Sequence, residues 1–91
     1  MSNDARYKNQ GLAQEYKEKL IGKKFKHFKG GIYVVSNVAV DSETAQVTVI
    51  YNNAENPDLV WSRPVEMFTS DVDKIKYPSI KQKLRFEEIK E

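Results

Sequence analysis

The sequence predicts a small, mainly β domain with one helix at its N-terminal end, its strands forming a closed or half-closed antiparallel barrel. Three observations support this prediction. The chain has 91 residues and no internal repeat, which suits one domain with a small core. Apolar residues recur every four positions from residue 12 to residue 20, and from residue 25 they follow the two-residue period of strands. Turn-forming residues separate these later runs at short intervals.

One amphipathic helix is predicted over residues 10–21. Leu12, Tyr16 and Leu20 are spaced four residues apart, so they share one face of a helix. Gly22 follows, where a residue in the left-handed conformation commonly ends a helix. We expect residues 1–9 to be a flexible N-terminal segment and residues 22–91 to form the barrel domain.

The apolar stripe of this helix needs a partner surface. That surface is either the body of the domain or a second subunit. Because the stripe and the adjacent Ile21 expose more apolar area than so small a barrel needs to cover, we expect a homodimer or a higher homo-oligomer.

The first two strands are predicted on either side of Gly30-Gly31, which permits a tight turn. Residues 24–28 alternate in polarity, whereas residues 32–40 are nearly all apolar or β-branched, as in a central strand covered on both sides. Strict alternation puts Ile32, Val34, Val38 and Val40 on one face of that strand and Tyr33, Val35 and Ala39 on the other.

Two further strands and one helical turn follow a polar turn at residues 41–45. Residues 46–51 predict the third strand and residues 59–63 the fourth, which Pro64 ends because proline cannot donate to a β-ladder. Residues 65–68 predict a single helical turn that closes one end of the barrel. Residues 79–89 begin like a helix but alternate later like a closing strand, and we favour the strand.

Composition excludes several classes of protein. There is no cysteine, so disulfides, thiolate nucleophiles and cysteine-ligated metals are excluded together. The first ten residues contain no apolar run of the kind found in a signal peptide or a membrane anchor, which favours a cytoplasmic location and no membrane partner.

The net charge of +2 is small, but the charges are unevenly distributed. Six lysines lie within residues 17–29, and the chain becomes basic again after residue 74, whereas residues 30–62 contain acids and no lysine or arginine. Folding can gather the two basic ends on one positive face, although solvated lysines are the commoner explanation. The acidic middle opposes nucleic-acid binding, so we expect that association to be weak and non-specific.

Motifs for catalysis are missing from the sequence. His27 is the only histidine, which excludes a histidine-rich metal site, and the acids lack calcium-loop spacing. No serine lies in a nucleophile-elbow motif, and Gly30-Gly31 lacks the spacing of a phosphate loop. We therefore expect neither enzymatic activity nor a cofactor. A histidine between aromatics is more typical of a structural hydrogen-bonding residue than of a general base.

The most suggestive stretch for binding runs from Val60 to Phe68 and holds the only tryptophan. Trp61 and Arg63 lie two residues apart on a strand, so they point to the same face. An arginine stacked on an indole presents its donors outward to a carboxylate or phosphate. Two structural alternatives remain: Trp61 lies in the barrel core, or Arg63 pairs with Glu43, Glu66 or another internal acid. The candidate ligand-binding residues are His27, Lys29, Tyr33, Tyr51, Trp61 and Arg63.

A combined motif extends through the middle of the sequence and consists of Phe25, Lys26, His27, Lys29, Gly30, Tyr33, Ser42, Glu43, Thr44, Tyr51, Trp61, Arg63, Pro64, Met67 and Phe68. Through this motif the sequence resembles a bacterial and phage family known as domain of unknown function 1653. The resemblance covers about residues 22–68 and implies a small barrel like the Src-homology-3 (SH3) fold, with a phage or prophage setting. It implies no established activity.

Two functions of different class follow from these observations, and the first is favoured. The first is a binding module that captures a small anionic, nucleotide-like ligand between aromatic and cationic side chains. The second is a protein-interaction adaptor that uses the aromatic barrel face and the N-terminal helix. A weak nucleic-acid binder ranks third.

Overall fold

A computed structural model of the protein describes residues 4–90 and contains two helices and five strands. The strands form one antiparallel sheet in the order β4-β3-β2-β1-β5, preceded by the longer helix. The predicted fold class, a mainly β domain with an N-terminal helix, is confirmed. The elements are α1 (Ala5–Leu20), β1 (Lys24–His27), β2 (Ile32–Val40), β3 (Val47–Asn53), β4 (Val60–Pro64), α2 (Val65–Phe68) and β5 (Phe86–Glu88).

Helix α1 begins more than one turn earlier than the sequence predicted. Asp4 is its N-cap, and the carboxylate of Asp4 accepts a hydrogen bond from the backbone N–H of Arg6 at 2.9 Å. Residues 5–9 are therefore helical instead of flexible, and residues 1–3 of the predicted flexible segment lie outside the described residues. The helix ends as expected, with Gly22 at φ +84° just beyond it.

The helix packs on its own sheet. Ala13 is 1% exposed, and Tyr16 and Leu20 contact the same core, whereas Leu12 remains largely exposed. The buried stripe is thus centred on Ala13, because this small residue lets the helix approach the sheet closely. Tyr16 and Leu20 are thus covered by the same chain, whereas Leu12 and Ile21 stay exposed, and the homo-oligomer remains a prediction. Within residues 4–90, neither helix has the length and apolarity needed to cross a membrane.

Strand β2 contains a bulge that changes which side chains face the core. Its pairing with β3 shifts register between Val35 and Asn37, so Val35 and Val38 are both buried on the core side. The predicted faces were therefore wrong: Tyr33 and Val35 share the core side with Val38 and Val40, although strict alternation separates the two pairs.

The other expected elements sit close to their predicted positions. Pro64 is the last residue of β4, which is an edge strand, and Val65–Phe68 is the predicted helical turn. Phe68 from this turn is fully buried. The favoured closing strand in the tail is confirmed as Phe86–Glu88, which pairs with β1, although it is much shorter than residues 79–89.

The two edge strands of the sheet approach each other through their side chains. β4 and β5 lie at opposite ends of the strand order, yet the guanidinium carbon of Arg63 on β4 lies 5.6 Å from the ring centre of Phe86 on β5. Phe68 stacks on the same ring at 4.2 Å. The sheet is therefore strongly curved, and the site described below lies inside its concave face.

Candidate functional site

A cleft of about 220 Å³ on the concave face of the sheet is bounded mainly by rings, and we call it the aromatic cleft. Each of the five strands contributes to its lining. Five of the six sequence-predicted ligand-binding residues meet there; the sixth, Lys29, does not. The lining residues are His27, Tyr33, Tyr51, Trp61, Arg63 and Phe86.

The rings in the aromatic cleft hold one another in edge-to-face contact. The Phe86 ring centre is 4.8 Å from that of His27, 5.9 Å from that of Tyr33 and 5.3 Å from that of Tyr51. The Tyr33 and Tyr51 centres are 5.5 Å apart. Such pairs are stabilising beyond the area they bury, so the cleft is formed before any ligand arrives.

Trp61 forms the outer wall of the aromatic cleft. It pairs across the sheet with Tyr51, but Trp61 is 50% exposed while Tyr51 is 4% exposed. Trp61 is therefore not the core residue that the sequence left as one alternative. Its exposed indole is available as a stacking surface.

Arg63 is held by Tyr51 and Phe86 and not by Trp61. Its Nε donates to the Tyr51 hydroxyl at 3.0 Å, and its guanidinium carbon lies over the Phe86 ring. The predicted stacking of Arg63 on Trp61 is thus replaced by stacking on a ring from the tail. Within residues 4–90, Arg63 forms no salt bridge, so neither Glu43 nor Glu66 neutralises it.

His27 joins the aromatic cleft to a second cleft. Its Nδ1 accepts a hydrogen bond from the backbone N–H of Lys29 at 3.1 Å, so that nitrogen carries no proton. Burial, followed by the charges of Arg63, Arg85 and Lys29, lowers the pKa of His27 below its usual value. The imidazole is therefore neutral at pH 7.

The second cleft has a volume of about 370 Å³ and a mainly polar lining, and we call it the cationic cleft. It holds Lys29 from the first basic segment of the chain and Lys76 and Arg85 from the last. Folding thus brings one lysine of the first basic segment together with two cations of the last, although the sequence favoured solvated lysines. The lining residues, of which His27 and Arg63 also line the aromatic cleft, are His27, Phe28, Lys29, Arg63, Asp73, Lys76, Tyr77 and Arg85.

Tyr77 organises the two lysines of the cationic cleft. The ammonium groups of Lys29 and Lys76 lie 5.1 and 5.5 Å from its ring centre. A hydrogen bond from Lys29, together with the charges of both lysines, lowers the pKa of the Tyr77 hydroxyl. The Phe28 ring packs edge-on against the Tyr77 ring, with the two ring centres 5.0 Å apart.

The single carboxylate in the cationic cleft belongs to Asp73, and one of its oxygens accepts hydrogen bonds from the nearby backbone. One oxygen, Oδ1, accepts hydrogen bonds from the N–H groups of Ile75 and Lys76 at 3.0 and 3.2 Å. Asp73 thereby shapes the turn that carries Lys76 and Tyr77. In residues 4–90, no group of three or more histidine, cysteine, aspartate or glutamate side chains is arranged to hold a metal ion.

Sequence reasoning missed every site residue contributed by the tail. Phe86, Lys76, Tyr77 and Arg85 come from a stretch whose secondary structure is short, so periodicity carried little information about it. Two signals were present: the aromatic in an alternating run and the return of basic residues after Lys74. Neither signal specifies which strand the tail joins.

Comparison with known proteins places the chain in a family. The family model described as "Protein of unknown function (DUF1653)" matches residues 23–88, which is well over half of the chain and includes every residue of both clefts. Comparisons with curated proteins and with solved structures found no match. The chain therefore belongs to the DUF1653 family.

Proposed function

We propose that this protein is a non-enzymatic binding module that captures a small anionic, nucleotide-like ligand in the two adjoining clefts. The observation that carries the proposal is that the aromatic and cationic clefts share Arg63 and His27. A nucleotide has a planar ring and a phosphate at opposite ends, so it needs a stacking surface and a cationic surface side by side.

The aromatic cleft suits the planar part of such a ligand. Trp61 presents an exposed indole beside Tyr51, its cross-strand neighbour, and a planar ring in the cleft can stack on this indole. A cationic group is disfavoured in the same place because the guanidinium of Arg63 already lies over Phe86. The preference is therefore for neutral or anionic aromatic ligands.

Arg63 supplies the first contact to the anionic part. Because its Nε is bound to the Tyr51 hydroxyl, the side chain is oriented before binding and loses little freedom when it meets an anion. Its terminal nitrogens make no hydrogen bond within residues 4–90. They are the donors that a phosphate accepts in a two-point contact.

His27 has no catalytic role in the proposed binding module. A general base needs a free acceptor nitrogen close to the proton that it removes. The Nδ1 of His27 is occupied by the N–H of Lys29, and its pKa is lowered by burial and by neighbouring cations, so it is better suited to lining the wall of the site.

We also propose that the curved sheet is a small barrel of the SH3-like kind. Support comes from the approach of the outermost strands: Arg63 of β4 lies over Phe86 of β5, and Phe68 of α2 stacks on that ring from the end of the sheet. In the proposed barrel, α2 is the helical turn that plugs one end.

The test combines native mass spectrometry of the purified protein with thermal shifts for a panel of nucleotides. A retained small molecule, or a nucleotide that stabilises the fold, supports the proposal; ligand at 100 times its dissociation constant adds about 2.7 kcal/mol. Trp61→Ala should abolish the shift, whereas Val60→Ala, an exposed neighbour on the opposite face of β4, should preserve it. A bare chain with no shift at millimolar nucleotide contradicts it.

A protein-interaction adaptor is the second candidate, and one observation favours it. Leu59, Val60 and Trp61 are consecutive and each is about half exposed, at the free edge of the sheet. Such an edge can pair with an extended segment of a partner. In that case Val60→Ala and Trp61→Ala should both weaken capture of the partner, and nucleotides should not compete with it.

A further inference from the structure

The cationic cleft is much more highly charged than a single phosphate requires. Four cationic side chains and one carboxylate line it, and His27 is neutral. One oxygen of the Asp73 carboxylate accepts two hydrogen bonds from the backbone of its own turn, and the charge of this carboxylate offsets one of the four cations. Within residues 4–90, none of the four cations forms a salt bridge, so the excess positive charge is not neutralised by the protein.

The two arginines of this cleft are each oriented by a hydrogen bond from Nε, which leaves the terminal guanidinium nitrogens available to a ligand. Arg85 donates from Nε to the Ser70 hydroxyl at 3.1 Å, just as Arg63 donates from Nε to Tyr51. Among the described residues, the terminal nitrogens of both arginines make no hydrogen bond. Two anchored guanidinium forks can each bind one phosphate in a two-point contact.

The lysines add charge at a second location in the cleft. Lys29 and Lys76 are both held beside the Tyr77 ring, and Lys29 is itself joined to His27 through the hydrogen bond from its backbone N–H. The cations of the cleft therefore include Arg63, which also lines the aromatic cleft, and the two lysines beside Tyr77. A ligand whose first phosphate contacts Arg63 has further cations of the same cleft for a second phosphate.

We infer that the cationic cleft is a polyphosphate subsite, so that the ligand carries at least two linked phosphate groups. This inference rests on the proposed function for the aromatic half of the ligand. The cleft volume of about 370 Å³, larger than that of the aromatic cleft, accommodates more than one phosphate. A lone carboxylate or a monophosphate leaves part of the cationic surface unpaired.

Calorimetric titration of the full chain tests this with three matched series. Adenosine, guanosine and uridine are each compared with their 5′-monophosphate and 5′-diphosphate, and inorganic pyrophosphate is titrated separately. We expect the diphosphate to bind at least about tenfold more tightly than the monophosphate in the series that the cleft accepts. Equal affinities of the monophosphate and the diphosphate overturn the inference and leave the proposed function standing.

Substitutions in the cationic cleft test whether this cleft is responsible for the tighter binding of the diphosphate. Lys76→Gln, at an exposed position, and Arg85→Gln should each remove most of the difference between diphosphate and monophosphate while nucleoside affinity is unchanged. Lys8→Gln removes the same charge from an exposed position on α1 that lines neither cleft, and it should preserve that difference. If Lys8→Gln reduces the difference as much as Lys76→Gln does, general charge is responsible and the subsite is overturned.

Pyrophosphate separates failure of the subsite from failure of the proposed function. Binding of pyrophosphate that is lost in Lys76→Gln, without binding of any nucleotide, supports the subsite and contradicts the nucleotide-like ligand. Absence of binding for every nucleotide and for pyrophosphate overturns both.

Discussion

Arg63 donates a hydrogen bond from Nε to the hydroxyl of Tyr51 at 3.0 Å, and this contact orients the most central cation of the site. Tyr51 is buried, so its hydroxyl provides a fixed acceptor at the floor of the aromatic cleft. Arg63 lies on the edge strand β4, and two contacts hold its side chain in place. One is the hydrogen bond to Tyr51 on the neighbouring strand β3, and the other is the contact with the Phe86 ring on β5, at the opposite end of the strand order.

Replacing Arg63 with lysine should separate charge from geometry. Arg63→Lys keeps the positive charge but loses the bond to Tyr51 and the planar contact with Phe86. We expect an anionic ligand to bind more weakly by roughly 1–3 kcal/mol. Unfolding free energy should fall by about 1 kcal/mol or less, because Arg63 is only partly buried. Calorimetry and denaturant unfolding measure the two quantities; strong destabilisation with unchanged affinity would make Arg63 a structural residue.

Removing the hydroxyl of Tyr51 should weaken binding through Arg63. Tyr51→Phe keeps the ring but deletes the acceptor, so we expect a loss of about 0.5–1.5 kcal/mol in stability and a weaker anionic ligand. In the double variant with Arg63→Lys, the losses in affinity should be less than additive because the two residues act as one unit. Tyr33→Phe, another tyrosine of the same cleft, serves as the control. Fully additive losses would show that Tyr51 does not act by orienting Arg63.

The only histidine should give the fold a pH dependence of predictable sign. The pKa of His27 is lowered in the folded protein, so the unfolded chain takes up the proton first as the pH falls. The stability that depends on neutral His27 is present above roughly pH 6.5, its unfolded pKa, and is lost as the pH falls through the folded pKa. Melting temperature across this window measures the effect. His27→Gln should flatten the curve there, and an unchanged slope in that variant would assign the dependence to other groups.

Substitution by alanine should change the unfolding free energy differently at three glycines. Gly31 has φ +87°, and a Cβ there would meet the Tyr33 ring at 3.2 Å, so Gly31→Ala should destabilise the fold by roughly 1–3 kcal/mol and disturb the aromatic cleft. Gly30 has φ +102° with no atom in the way, so its alanine variant should cost less. Gly11 lies inside α1 with open space around it, and Gly11→Ala should stabilise by about 0.5–1 kcal/mol. Chemical denaturation of the three variants checks the order, and equal costs at Gly30 and Gly31 would contradict the contact with Tyr33.

The sequence predicted much of the local structure because short-range chemistry determines it. Glycines at the helix end and the first hairpin, and a proline at the end of β4, impose backbone restrictions that are readable without tertiary contacts. The start of α1 was predicted too late, because residues 5–9, which follow the N-cap Asp4, show no apolar periodicity. The faces of β2 were misassigned because the bulge after Val35 changes phase without any marker in the composition.

For the site, the sequence by itself determined the residue types and the face that Trp61 and Arg63 share, since a two-residue spacing on a strand requires a common side. Only the tertiary structure decided what those residues contact. The tail strand β5 places Phe86 under Arg63, and the turn that precedes it in the tail places Lys76 and Lys29 beside the same Tyr77 ring. These contacts join residues far apart in the chain. Strand order and sheet curvature are set by packing across the whole core, around Phe68 and Phe86, and no local pattern specifies which distant segments that packing brings together.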